Sequence, residues 1–346
     1  MFRPGKTGGM KRLLIFELNW LGDILFSFPL IKAIRGRYPD IHIACAVVPR
    51  YRDLLEYNPW VDEIMDFPDE KGLHSFFKKT SFIRETRKKG FDSCIFLKTS
   101  VTKSWISGLC GIKNRIGFSG KKADLTVEIE SPDPGLHRVE QLLLIAKHMG
   151  IDTADTRYEY PVPRRALESA ERILTAAGAG SYGKRLVVVN PGGNWPPKRW
   201  PAVNFSELVK KILDNYPDIE VVVTGSGKDI SLASEIAERV SRPGCIPLAG
   251  QTTLNELAAV FKKSSLVISA DSGPLHLASA AGTFTVSLFG PTSSRITGPR
   301  GKGGNIIIQS GIECDVPCYK TLCDKDYECM KGITVEKVFE KIKSIV

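Results

Sequence analysis

Short, largely apolar runs recur along this chain, each followed by a turn and then by a stretch of helical periodicity. In the first half the runs are Lys11–Phe16, Ile41–Val48 and Cys94–Leu97. In the second they are Leu186–Asn190, Ile219–Val223, Cys245–Leu248, Ser265–Ser269 and Phe284–Leu288. A strand that is apolar almost throughout has to be covered on both faces, and alternating helices supply the cover. The fold class expected is therefore α/β with parallel sheets.

The intervening helices are expected as an amphipathic one over Asp23–Arg37, stopped by Pro39, and one over Arg138–Met149, stopped by Gly150. Four more are expected over 202–215, 229–240, 253–263 and 273–281. A polar stretch with Pro161 and Pro163, residues 152–165, reads as a linker. At 346 residues the chain is too long for one ordinary α/β domain. The expected division is a disordered tail at 1–10, a Rossmann-like domain at 11–165 and a second at 166–346, facing each other across a cleft. Ligands of such sheets bind beyond the carboxyl ends of the strands.

Composition excludes some functions. Hydrophobic content of 42% and charged content of 25% are those of a soluble globular chain. No apolar run approaches the length of a membrane span, and none near the start is long enough for a signal peptide, so a cytoplasmic location is expected. The net charge is +10, and residues 1–165 hold 27 Lys and Arg against 20 Asp and Glu. Lys71, Lys78, Lys79, Arg84, Arg87, Lys88 and Lys89 stand in one stretch against Glu85 alone. That stretch reads either as a solvated helix face or as contact with an anionic partner, including the cytoplasmic face of a membrane. No nucleic-acid-reading motif accompanies it, so nucleic acid is not an expected partner. The turn after the first strand lacks the G-x-G-x-x-G fingerprint. Gly225-Ser226-Gly227 has neither a third glycine nor the P-loop form, which argues against a nicotinamide dehydrogenase or P-loop kinase.

The chemistry-bearing residues cluster in turns after strands. Ser269-Ala270-Asp271-Ser272-Gly273-Pro274-Leu275-His276 ends a strand and starts a helix. Unpaired N–H groups and the positive dipole end at such a start suit a phosphate. Gly273 allows close approach, and His276 stands on the first turn. Equally, Asp271 could be a plain helix cap and His276 a core residue. Asn190-Pro191-Gly192-Gly193 leads to Lys198 and Arg199, cations placed to neutralise a departing diphosphate, or else surface charges. In Thr224–Asp229, Gly225 and Ser226 offer backbone groups to a nucleotide and Asp229 offers a carboxylate to ribose hydroxyls; a plain turn is the alternative. Asp23, after the first strand, is the candidate general base, or a helix cap. Cys314, Cys318, Cys323 and Cys329 lie within 16 residues. They read as reduced thiols, a structural metal site or disulfides.

Together these segments resemble the ADP-heptose:lipopolysaccharide heptosyltransferase family. Asn19–Ile24, Asn190–Pro201, Thr224–Asp229, Leu248–Thr252, Ser269–His276 and Leu288–Thr292 carry the resemblance, which is somewhat greater to the heptosyltransferase II branch. It implies a GT-B fold and inverting, metal-independent transfer of heptose from ADP-heptose to the lipopolysaccharide inner core, with no cofactor. It implies Asp23 as base and Lys198 on the diphosphate. Asp271 would hold heptose hydroxyls, Ser272, Gly273 and His276 the phosphates, and Asp229 the ribose. The acceptor would fall to the N-terminal domain. A non-catalytic nucleotide-sugar-binding module, or a member using another sugar or acceptor, stays open.

Overall fold

Every strand pairing among the described residues is parallel. The computed structural model describes residues 10–68, 73–120, 122–181 and 183–346. The expected tail, apart from Met10, and Lys71 of the basic stretch lie outside them. The chain forms two compact units, Met1–Tyr158 and Glu159–Val346. The division falls inside the 152–165 stretch. Within that stretch, Arg164 and Arg165 already belong to the first helix of the second unit.

In the first unit the elements are β1 (Arg12–Phe16), α1 (Leu21–Arg37), β2 (His42–Val47), β3 (Glu63–Asp66), α2 (Leu73–Lys89), β4 (Ser93–Phe96), α3 (Val101–Leu109), β5 (Asn114–Phe118), β6 (Val127–Ile129) and α4 (Arg138–His148). The sheet order is β3-β2-β1-β4-β5-β6. Leu13 pairs with Ile43 on one side and Ser93 on the other. Phe16, Phe67, Phe82 and Phe96 pack between the sheet and α2, with Phe16 and Phe96 stacked at 5.1 Å. The second unit runs α5 (Arg164–Ala176), β7 (Arg185–Asn190), α6 (Ala202–Asn215), β8 (Ile219–Val223), α7 (Ile230–Val240), β9 (Cys245–Pro247), α8 (Leu254–Lys263), β10 (Leu266–Ala270), α9 (Gly273–Ala280), β11 (Thr285–Leu288), α10 (Ser294–Thr297), β12 (Asn305–Ile308), α11 (Glu328–Lys331) and α12 (Val335–Ile342). Its sheet order is β12-β11-β10-β7-β8-β9. Buried Trp200 anchors this core. Its indole N–H donates to the Ile333 carbonyl at 2.8 Å, and its ring meets Phe205 edge-on.

Two expectations change. Helix α1 is not amphipathic: from Ile24 through Ile31 it is buried on every side, because it lies between the sheet and α4. It starts at Leu21, so Asp23 is its third residue and not its cap. The helix expected from Asp229 starts at Ile230, with Asp229 in a preceding 3₁₀ turn. The half-polar edge strands β3 and β6 escaped the sequence reading, as did β5, β12 and the helices α3, α5 and α12, although these three helices are amphipathic.

Both sheets share one topological consequence. The chain leaves β1 toward β2 but later adds β4 on its other side; likewise β7 lies between β8 and β10. Where strand order reverses, the loops on either side diverge and leave a crevice at the carboxyl edge. One crevice lies between β1 and β4, the other between β7 and β10.

Candidate functional site

At the β7/β10 crevice the two loops are joined by charge. Lys198 stands in a short 3₁₀ turn, Pro196–Lys198, fixed by its prolines after β7. Its Nζ lies 2.7 Å from Asp271 Oδ2, at the end of β10. Asp271 is 5% exposed. Thr292 donates to the same oxygen at 2.7 Å and Thr297 at 3.4 Å, while His276 Nε2 lies 3.5 Å from Oδ1. Burial by itself would raise the Asp271 carboxyl. The His276 contact and the Lys198 charge outweigh it and hold the group well below the usual carboxylate range. Asp271 is therefore an ionised, oriented acceptor at the mouth of α9, and Ser272 is the helix cap.

The β8 loop joins the same edge. Asp229 Oδ2 accepts from both the N–H and the hydroxyl of Ser226, at 2.9 and 2.7 Å. Its carboxylate lies against the backbone of Gly192: a Cβ there would come within 2.7 Å of it, so only glycine fits. Gly225 is equally tight against Asp229. Asn190 accepts from Thr224 at 3.2 Å, tying β7 to β8. Arg199, expected beside Lys198 on the diphosphate, instead donates twice to the Gly193 carbonyl and braces its own loop. The structure thus brings Asn190, Gly192, Gly193, Lys198, Gly225, Ser226, Asp229, Asp271, Ser272, Gly273 and His276 to one edge of one sheet.

The β1/β4 crevice of the first unit is open. A pocket of about 370 Å³ is lined there by Asp23, Lys98, Thr99, Ser119, Ser131 and Arg138, among others. Glu17, the residue after β1, is fully buried. Ser27 donates to Glu17 Oε1 at 3.0 Å, and Lys103 Nζ lies 2.9 Å from the Glu17 carbonyl. Burial pushes the Glu17 carboxyl up to about 7, against the lowering pull of Ser27, the Leu18 N–H and Lys103.

Sequence reasoning did not single out Thr292, Thr297, Lys98, Arg138 or Glu17. Thr292 ends the Leu288–Thr292 segment, and Lys98 follows a strand. Arg138 is remote in sequence, so no local signal could place it in the pocket. The eight cysteines are free thiols. Cys314, Cys318, Cys323 and Cys329 form neither a disulfide nor a ligand set: among the described residues no three His, Cys, Asp or Glu side chains are placed to hold a metal ion. No helix among the described residues is long and apolar enough to cross a membrane.

Comparison with known proteins agrees with this architecture. The model of glycosyltransferase family 9 (heptosyltransferase) matches residues 79–327. The chain is 26% identical over 308 residues to lipopolysaccharide heptosyltransferase 2 of Escherichia coli K12, covering 86% of this chain and 87% of that one. It is 30% identical over 345 residues to lipooligosaccharide heptosyltransferase 2 of Campylobacter jejuni, covering 96% and 99%. In fold it resembles a family 9 glycosyl transferase from Veillonella parvula, with a TM-score of 0.84 at 23% identity and 97% of both chains covered. The two parallel-sheet units are those of the GT-B fold.

Proposed function

The chain belongs to glycosyltransferase family 9, the heptosyltransferases, and on that premise we propose that it transfers heptose from ADP-heptose to the inner core of lipopolysaccharide, inverting the anomeric centre without a metal. The observation that carries the donor half is the convergence of the β7, β8 and β10 loops through the Lys198–Asp271 and Asp229–Gly192 contacts. Lys198 has three N–H donors and gives one to Asp271, which leaves two for diphosphate oxygens. Ser272 and Gly273 add the unpaired N–H groups of the α9 start. Ionised Asp271, held in place by Thr292 and His276, accepts from heptose hydroxyls, and Asp229 accepts from ribose.

Asp23 is the general base of this reading. As the acceptor hydroxyl attacks the anomeric carbon, its proton passes to the Asp23 carboxylate, the C–O bond to the diphosphate breaks, and ADP leaves with the bonding pair. Attack opposite the leaving group inverts the centre. Position three of α1 favours the ionised base. Lys98 and Arg138 beside it suit an acceptor bearing carboxylate or phosphate. The protein works at the cytoplasmic face of the membrane that carries its acceptor.

The test is ADP release with a delipidated, Kdo-bearing inner-core saccharide, comparing ADP-heptose with UDP- and GDP-sugars. ADP-heptose should be turned over and the others not. Nucleotide-sugar binding without turnover would reduce the protein to a binding module, and preference for another donor would reassign the sugar.

A further inference from the structure

Helix α3 buries Ile106 in the core, yet it also turns an apolar stripe outward. Its inward side buries Ser104 and Ser107, whose hydroxyls donate to the carbonyls of Val101 and Ser104. Its outward stripe, at spacings of four, is Val101, Trp105 and Leu109, all exposed, with Trp105 at 64%. The one cation of the helix, Lys103, is drawn inward to the Glu17 carbonyl and lies 5.3 Å from the Phe67 ring. Hydroxyls inside and tryptophan outside oppose the usual partition of both. An exposed apolar stripe of this kind marks an interaction surface.

The neighbouring helix supplies the charge. Both α2 and α3 connect parallel strands, so they run parallel to each other. Their ends meet where Arg87 donates to the Leu109 carbonyl. At 1.5 Å of rise per residue, Phe76 and Phe77 then stand within a turn of the level of Val101. Both phenylalanines are exposed, Phe77 at 67%. From Leu73 to Lys89 the helix carries Lys78, Lys79, Arg84, Arg87, Lys88 and Lys89. Its one acid, Glu85, pairs with Lys89.

We propose that the α2–α3 face docks on an anionic lipid bilayer. Phe76, Phe77, Trp105 and Leu109 enter the boundary between headgroups and acyl chains, and the α2 cations meet lipid phosphates. Charge selects this occupant. A second copy of the chain on the same face would set two cationic helices against each other, whereas an anionic bilayer satisfies both the aromatic stripe and the cations. The inference deepens the proposed function, since a lipid-borne acceptor needs an enzyme at the membrane, but lipid binding is measured without transfer.

The experiment is co-sedimentation of the full chain with vesicles of phosphatidylcholine alone or mixed with phosphatidylglycerol, at low and high salt. Binding is expected to the mixed vesicles and to weaken with salt. Trp105→Ala/Leu109→Ala and Arg84→Glu/Lys88→Glu should each weaken it by roughly tenfold or more. Turnover on the delipidated acceptor should be unchanged in both. The altered side chains are exposed, and circular dichroism checks that each variant is folded. Absence of binding to the mixed vesicles, or equal binding by wild type and both variants, would overturn the proposal. So would a concentration-dependent dimer dispersed by Trp105→Ala/Leu109→Ala, which would give the face to a second copy. Turnover without vesicle binding would refute the docking surface alone; vesicle binding without turnover would refute the transferase reading alone.

Discussion

The two switch points of this molecule share a topology and differ in chemistry. At β7/β10 the crevice is bridged by an ion pair, and its buried carboxylate, Asp271, is held ionised by Lys198, His276 and Thr292. At β1/β4 the crevice is an open pocket, and the buried carboxylate near it, Glu17, accepts from neutral donors, while Lys103 reaches its main-chain carbonyl, and burial pushes it up to about 7. Both carboxyls directly follow strands at the centre of a parallel sheet, and burial penalises the charge of both. The partners decide the outcome: donors and cations aimed at the oxygens outweigh desolvation in one case, and the neutral donors Ser27, the Leu18 N–H and Cys45, with a cation on the main chain, do not in the other. One crevice thereby carries an ionised carboxylate paired with a cation. The other places a half-buried carboxylate, Asp23, in the pocket lining.

Four measurements would break or sharpen that contrast. The largest effect is expected from Asp23→Asn, which should lower kcat by about 10²–10⁴-fold with ADP-heptose affinity preserved. Turnover close to wild type would remove the base from the first crevice. Next, Asp271→Ala strands Lys198 and His276 and should destabilise the second unit by about 3 kcal/mol in urea unfolding, the low end for a broken buried pair because Lys198 is partly exposed. The Asp271 contribution lies above the unfolded carboxylate value and is lost as pH falls below it, so the gap between wild type and variant should shrink in strong acid. A gap that persists there would assign the loss to packing.

Glu17→Gln tests the opposite sign. A folded value near 7 lies above the unfolded one, so the stabilisation is complete below about 4.5 and is lost as pH rises through 7. Wild type should therefore lose about 3 kcal/mol relative to the variant between pH 5 and pH 8. A difference independent of pH over that range would show that Glu17 ionises normally. The smallest effect is expected from Ser27→Ala. It removes one donor from Glu17 and should cost about 1 kcal/mol while moving the Glu17 midpoint further up, read from the same pH series. An unmoved midpoint would mean that the hydroxyl does not hold the carboxylate.

The sequence by itself determined the alternation of apolar strands and helices, the division near residues 152–165 and the turns that carry the donor candidates. These are local properties: a run such as Leu186–Asn190 has to be covered on both faces wherever it lies. It also placed Lys198, Asp229 and Asp271 on loops after strands. Tertiary structure alone decided that the β7, β8 and β10 loops are neighbours, because strand order is not written in any local pattern. It decided likewise that Arg199 braces Gly193 instead of facing ligand, that α1 is wrapped by α4 and so needs no polar face, and that Arg138 joins Asp23 in one pocket from more than a hundred residues away. A side chain's charge state follows from the partners the fold brings to it. That is why Glu17 and Asp271, alike as strand-end carboxylates in sequence, diverge in the folded chain.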